Sequence, residues 1–232
     1  MTLVDLLPDL RRTLAAWSGQ AALLDVMKAF PDLQVYLAGG AIRQLLTGTA
    51  TVPKDFDYFL GGPSVSQAVS RLAQAGALRY TPYGAPRWYP NGESSCYADL
   101  IPIADFVPGL WPCEDIVDVL NQFDFTANAV AIDLRTWEAY DPQHGMRDAA
   151  RRVMRMVRFD YPSGPYIADA TLDRNVVMWF RVVHYASTLD FEIEPITRRW
   201  LHQHRQWRAH EVEFTRLFFQ PDLRALPSLD DV

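Results

Sequence analysis

The chain has 232 residues, and 49% of them are hydrophobic, enough for a substantial buried core and too many for a largely disordered chain. A formal net charge of −6 argues against a protein that coats nucleic acid through bulk charge, so any such contact must use a local basic face. Cys96 and Cys113 are too few for a disulfide framework and lack zinc-site spacing, and no segment reaches membrane-spanning length without charge, so a cytoplasmic protein is expected.

Residues 1 to 30 read as helical, with Leu6, Leu10, Leu14 and Trp17 at helical spacing, and they should lean on a sheet. Gln34 to Ala38 is a short apolar strand, Ala41 to Leu46 a helix, and Phe56 to Leu60 a second strand. Ser64 is placed to cap a helix from about Val65 to Ala75. Leu78 to Tyr83 alternates like a strand, and Arg87 to Tyr89 and Cys96 to Ile103 flank the turn pair Asn91-Gly92. A helix over Pro112 to Gln122, a strand near Ala129 to Leu134 and a hairpin return through Trp137 to Tyr140 follow. Beyond about Arg147 the chain turns helical and Arg-rich, with Tyr161 to Pro165 as the best linker and Pro221 to Val232 as a flexible acidic tail. The expected fold class is α+β, a mixed sheet framed by helices and followed by a small helical unit.

The chemistry concentrates early. Leu37-Ala38-Gly39-Gly40 runs an apolar strand into two glycines and a helix start, which turns backbone N–H groups toward an anion. Arg43, one turn into the helix, is placed to reach a phosphate. Asp55 and Asp57, two apart on a strand, share one face because side chains alternate with period two. Hard oxygen ligands beside a phosphate cradle suit Mg²⁺ and a nucleoside triphosphate. Two ions about 4 Å apart ordinarily need a third carboxylate. Asp99 is the first choice, as the single acid in an otherwise apolar strand, with Asp105 as the second. Asp99 is also the expected proton acceptor from an attacking hydroxyl. His202, His204 and His210 read as a solvated helical face, and Trp179, Trp200 and His184 as packing residues.

The order Gly39-Gly40-Ala41-Ile42-Arg43, then Lys54-Asp55-Phe56-Asp57, resembles the head of the class II tRNA nucleotidyltransferase and bacterial poly(A) polymerase family, within the DNA polymerase beta superfamily. Asp124-Phe125-Thr126-Ala127-Asn128-Ala129 resembles a second family block, and Asp141 through Arg155 the passage from head into neck. The likeness spans roughly residues 34 to 197. It implies Asp55 and Asp57 as catalytic metal ligands, to which the strand reading adds Asp99. Gly39, Gly40, Arg43, Asp124, Asn128, Arg152 and Arg155 are implied around the nucleotide, with a head over residues 1–145 and a neck over 146–220. It also implies two Mg²⁺ ions, an NTP substrate and an RNA acceptor such as the 3′ end of tRNA; a protein or small-molecule acceptor, or a non-catalytic binding role, are the alternatives. The chain departs from the pattern at Gln44, at Gln122 and Phe123, where the family carries arginines, and at Arg174 to Met178, where it carries the charged residues that read the base.

Overall fold

In the computed structural model the described residues are 3–49, 53–81, 84–91, 96–106, 111–166 and 171–226, with side chains from residue 5 onward. Gly92 of the expected turn and residues 227–232 of the expected tail lie outside them. Helices α1 (Leu3–Ala15) and α2 (Gln20–Ala29) precede β1 (Gln34–Ala38), α3 (Gly40–Leu46) and β2 (Asp55–Gly61). Then come α4 (Val65–Ala73), β3 (Gly76–Tyr80), β4 (Pro86–Pro90), β5 (Tyr97–Pro102), α5 (Ile116–Leu120), β6 (Ala131–Asp133) and β7 (Ala139–Tyr140). These strands form one seven-stranded sheet in the order β3-β4-β5-β2-β1-β6-β7. It is mixed, because β2 and β5 run parallel while the pairs β1–β2, β1–β6, β3–β4, β4–β5 and β6–β7 are antiparallel.

Strand alternation gives the sheet two different faces. Val35, Leu37, Phe56, Tyr58, Leu60, Ala98 and Leu100 point to the face covered by α1 and α2, where Leu6, Leu10, Leu14 and Trp17 are buried. Trp17 packs on Phe56, Tyr58 and Trp88 with centroids 5.0 to 5.8 Å apart. On the opposite face Tyr36, Ala38 and Phe59 meet Ile116, Val119 and Leu120 of α5. Asp55, Asp57 and Asp99 belong to that second face, beyond the reach of α5.

The C-terminal part begins with α6 (Gly145–Ala150) and β8 (Val153–Met154) and continues through α7 (Arg174–Leu189), β9 (Glu192–Ile193), α8 (Pro195–Gln203), a 3-10 helix (Arg205–His210) and α9 (Glu211–Leu217). β8 and β9 pair in parallel. Its helices share the apolar cluster of the first sheet face, which runs continuously from Leu6 to Phe214 and includes Trp179, Phe180 and Leu201.

Several local expectations shift. Ser64 stands at the N-cap of α4, yet its hydroxyl bonds the Asp32 carboxylate at 2.8 Å instead of capping. α5 is shorter than Pro112 to Gln122 because the Asp115 side chain caps it, accepting from the N–H groups of Val117 and Asp118. Tyr161 is no free linker: its ring is buried and its hydroxyl donates to the Phe123 carbonyl at 2.6 Å. The described part of the tail is also held, with the Asp222 N–H donating to His184 Nδ1 and the Ala225 N–H to Ser187 Oγ. Among the described residues no helix is long and apolar enough to cross a membrane.

Candidate active site

The site grows from the end of β1. Ala38 pairs with Asp57 across the β1–β2 ladder, and the chain then turns through Gly39 at φ 72° and ψ −137° before α3 begins at Gly40. An L side chain is strained at that φ, and a Cβ on Gly39 would sit 2.7 Å from Asp57 Oδ2. Glycine is therefore required twice over, for its backbone and for room beside the carboxylate. Gly40, by contrast, is helical, and a Cβ there would come no closer than 3.8 Å to Arg43 Nη2.

The parallel register of β2 and β5 sets Asp57 level with Asp99 and Asp55 level with Tyr97. All three carboxylates thus face one cleft of about 330 Å³, together with Gly39, Gly40, Arg43, Asp124 and Asn128. The Tyr97 hydroxyl donates to Asp55 Oδ2 at 3.2 Å. Burial, with the negative charges of Asp55 and Asp99, pushes the Asp57 carboxyl up to about 7. Arg181 and Arg43 oppose this rise without cancelling it, and a buried acid left this high fits a bound cation.

Asp99 is different. Across the β4–β5 pair, Arg87 Nε and Nη2 donate to its two oxygens at 2.7 and 2.9 Å, and the guanidinium lies 4.0 Å over the Tyr97 ring. Its charge is matched within the protein. Among the described residues no group of three or more His, Cys, Asp or Glu is assembled to hold a metal ion, which leaves Asp55 and Asp57 as the open pair. Asp105 lies in a short 3-10 turn (Ile103–Asp105) and is exposed.

Arg43 is buried. Its Nη1 donates to Asn128 Oδ1 and its guanidinium lies 4.8 Å from the Tyr185 ring centroid, while its Nε has no partner among the described residues. Burial lowers its pKa, an effect that the Tyr185, Asp124 and Asp57 charges oppose. Asn128 Nδ2 in turn donates to Asp124 Oδ1, and Asp124 Oδ2 accepts from Arg181 Nε and Nη2 at 3.0 and 2.7 Å. One chain of contacts therefore links α3 to α7, and the Asp124–Arg181 pair seals the cleft wall.

Arg152 and Arg155, expected at the nucleotide, do not line this cleft. Arg152 sits at φ 55° and donates to the Leu189 carbonyl, which turns it toward the end of α7. Arg155 is consumed by the buried Asp148 and by the Gln143 carbonyl. Their place is taken by residues that sequence reading did not assign to the site: Arg181 and Tyr185 of α7, Tyr161 and Tyr166. The signal the sequence offers for them is the spacing of Arg181 and Tyr185, one helical turn apart on α7. In the segment where the family reads the base, Asn175 donates to the Tyr161 carbonyl and to Asp173, and Met178 presents a thioether to the cleft.

No family model matches the chain. The A-adding tRNA nucleotidyltransferase of Deinococcus radiodurans is 30% identical over 171 residues, which is 72% of this chain and 33% of that protein. A multifunctional CCA protein of Xanthomonas campestris is 32% identical over 177 residues, 71% of this chain and 38% of that protein. This chain thus spans about a third of the length of the curated relatives it matches. Among solved structures, the Thermotoga maritima CCA-adding enzyme complexed with tRNA superposes with a TM-score of 0.66 at 19% identity, over 95% of this chain and 53% of that one. A tRNA nucleotidyltransferase complexed with a primer tRNA and an incoming ATP analogue gives 0.60 at 20% identity, over 82% of this chain and 52% of that one. The structural likeness speaks to fold, and over about 71 to 72% of its length the chain is similar in sequence to these tRNA nucleotidyltransferases, as a divergent relative of them.

Proposed function

We propose that the chain is an Mg²⁺-dependent nucleotidyltransferase that moves a nucleoside monophosphate from an NTP to the 3′ end of an RNA such as tRNA. The observation that carries this reading is the Asp55–Asp57 pair beside the Gly39 turn, with Asp57 pushed up to about 7 by burial first and then by Asp55 and Asp99. Relatives named A-adding tRNA nucleotidyltransferase and multifunctional CCA protein support the acceptor class. Bound Mg²⁺ would supply charge neutralisation at the phosphates and activation of the attacking hydroxyl. Asp55 and Asp57 are the residues to hold it. A second ion has no open carboxylate of its own while Arg87 engages both oxygens of Asp99, so it would depend on triphosphate oxygens.

In this reading the backbone N–H groups after Gly39 and the Arg43 guanidinium bind the triphosphate, and Asp124, Asn128 and Arg181 hold the wall against which the sugar lies. Residues 1–145 supply the metal-binding carboxylates with Asp124 and Asn128 of the wall, and residues 146–220 complete the wall through Arg181 and Tyr185 of α7. Met178 removes a hydrogen-bonding partner for the base, so selection among bases rests on shape and stacking against the cleft tyrosines. The test is incubation with Mg²⁺, each labelled NTP and tRNA lacking its 3′-terminal nucleotides. Incorporation that disappears in the Asp55→Asn, Asp57→Asn double variant supports the assignment; equal incorporation by parent and variant overturns it.

A further inference from the structure

Residues 195–210 break the charge pattern of the chain. The whole sequence carries 28 Asp and Glu among 232 residues, about one in eight, yet this stretch has none, against four arginines and three histidines. Arg12, Arg87, Arg147, Arg155, Arg158, Arg181 and Arg224 each pair with an aspartate. Among the described residues Arg199, Arg205 and Arg208 pair with no carboxylate, and all three are exposed.

Their spacing aligns them. Arg199 and His202 are three apart on α8, and Arg205 and Arg208 are three apart on the 3-10 helix, where residues i and i+3 eclipse. Arg205 Nη1 stands 3.5 Å from His202 Nε2, which makes the two segments one row. At the rise of each helix type the row is about 15 Å long. The neighbouring row faces inward and fixes its orientation. Trp200 and Leu201 are buried, Trp179 Nε1 donates to the Leu201 carbonyl at 2.9 Å, and Thr197 Oγ1 accepts from the Met156 N–H at 3.1 Å. The His204 ring lies flat on Trp207, 4.2 Å between centroids. None of the four row residues lines the nucleotide cleft.

We propose that the Arg199–His202–Arg205–Arg208 row binds the phosphate backbone of the RNA acceptor, away from the end being extended. This rests on the transfer to RNA proposed above. A rigid, exposed line of arginines on a net-negative protein is complementary to a polyanion, and the charge around it would repel an acidic partner that did not align with the row. Each phosphate contact releases counterions and contributes about 0.7 to 0.9 to the slope of log K against log salt.

The test is fluorescence anisotropy of a labelled tRNA transcript lacking its 3′ end, titrated with the full chain at several salt concentrations. Expected is a loss of at least ~10-fold in affinity at about 0.1 M salt, and a slope lower by about 2 to 3, in the Arg199→Gln, Arg205→Gln, Arg208→Gln variant. The corresponding triple lysine variant should keep most of the slope. Binding of a fluorescent NTP should be the same in all three proteins, which shows that the fold and the cleft are intact. Unchanged RNA affinity and slope in the Gln variant overturn the inference, as does parental binding to phosphatidylserine vesicles without binding to tRNA. RNA binding that depends on the row while no NTP is ever transferred to RNA upholds this surface and overturns the proposed reaction instead.

Discussion

Replacing Asp57 with Asn should make the metal-free protein more stable above neutral pH, although it removes a residue from the centre of the site. In the folded chain the Asp57 carboxyl is raised from 3.8 to about 7, by burial first and then by Asp55 and Asp99. Because the folded state keeps this proton where the unfolded state has lost it, stability falls as pH rises from about 4 to about 7 and is level above that. The span corresponds to about 4 kcal/mol at most, lost in full at pH 8. For a chain of this size, 1 kcal/mol moves the melting temperature by about 2 to 4 °C. Thermal melts at pH 5, 6, 7 and 8 in EDTA should therefore show the parent declining across the series and Asp57→Asn remaining nearly flat, with the variant melting roughly 10 °C higher at pH 8. Added Mg²⁺ should raise the parent at pH 8 and leave the variant unmoved, since a ligand stabilises only the state that binds it. Parallel profiles for the two proteins from pH 5 to 8 would falsify the account of Asp57 as an uncompensated carboxylate.

Three further outcomes follow from the cleft. Gly39→Ala should cost about 1 to 3 kcal/mol through strain at φ 72°, and should weaken fluorescent-nucleotide binding by displacing Asp57, whereas Gly40→Ala should melt at or above the parent; equal melting of both variants refutes the close-approach argument. Arg181→Met leaves the buried Asp124 charge unmatched and should cost about 3 to 5 kcal/mol in chemical denaturation, with part of the loss recovered on adding Asp124→Asn. Arg155→Ala should destabilise by about 1 to 3 kcal/mol, because Asp148 loses a partner, yet nucleotide titration should give parental affinity, since the side chain is directed away from the cleft.

The parts of the site that were legible in the sequence are those fixed by local geometry. A strand into Gly-Gly into a helix, and two acids at period two, are encoded within a few residues, and β1, α3 and β2 lie within a residue or two of the expected bounds. Asp124 and Asn128 lie four apart and are joined by a hydrogen bond across that short loop. What escaped reading depends on partners distant in sequence. That Asp99 is neutralised follows from the β4–β5 register, which sets it opposite Arg87 and cannot be read from either strand alone. Arg152 and Arg155 are placed at the nucleotide by the family resemblance alone, but the left-handed turn at Arg152 and the pull of Asp148 direct them elsewhere. Tyr161 stands among Pro, Ser and Gly, a composition that signals a loop, and only tertiary contact with Phe123 makes it a wall residue.

The Asp124–Arg181 pair has a consequence for the order in which the protein is made. Its members are 57 residues apart, and Tyr185, which covers Arg43, comes later still. During synthesis from the N-terminus, the three carboxylates and the glycine turn emerge and can fold into their sheet while α7 is still to be translated. Over that interval Asp124 lacks its Arg181 partner, and Arg43 has the Phe125 ring at 5.8 Å but not the nearer Tyr185. The cleft becomes a site only when α7 closes over it, so a truncated product ending before Arg174 carries every carboxylate of the site and lacks the wall that encloses a nucleotide.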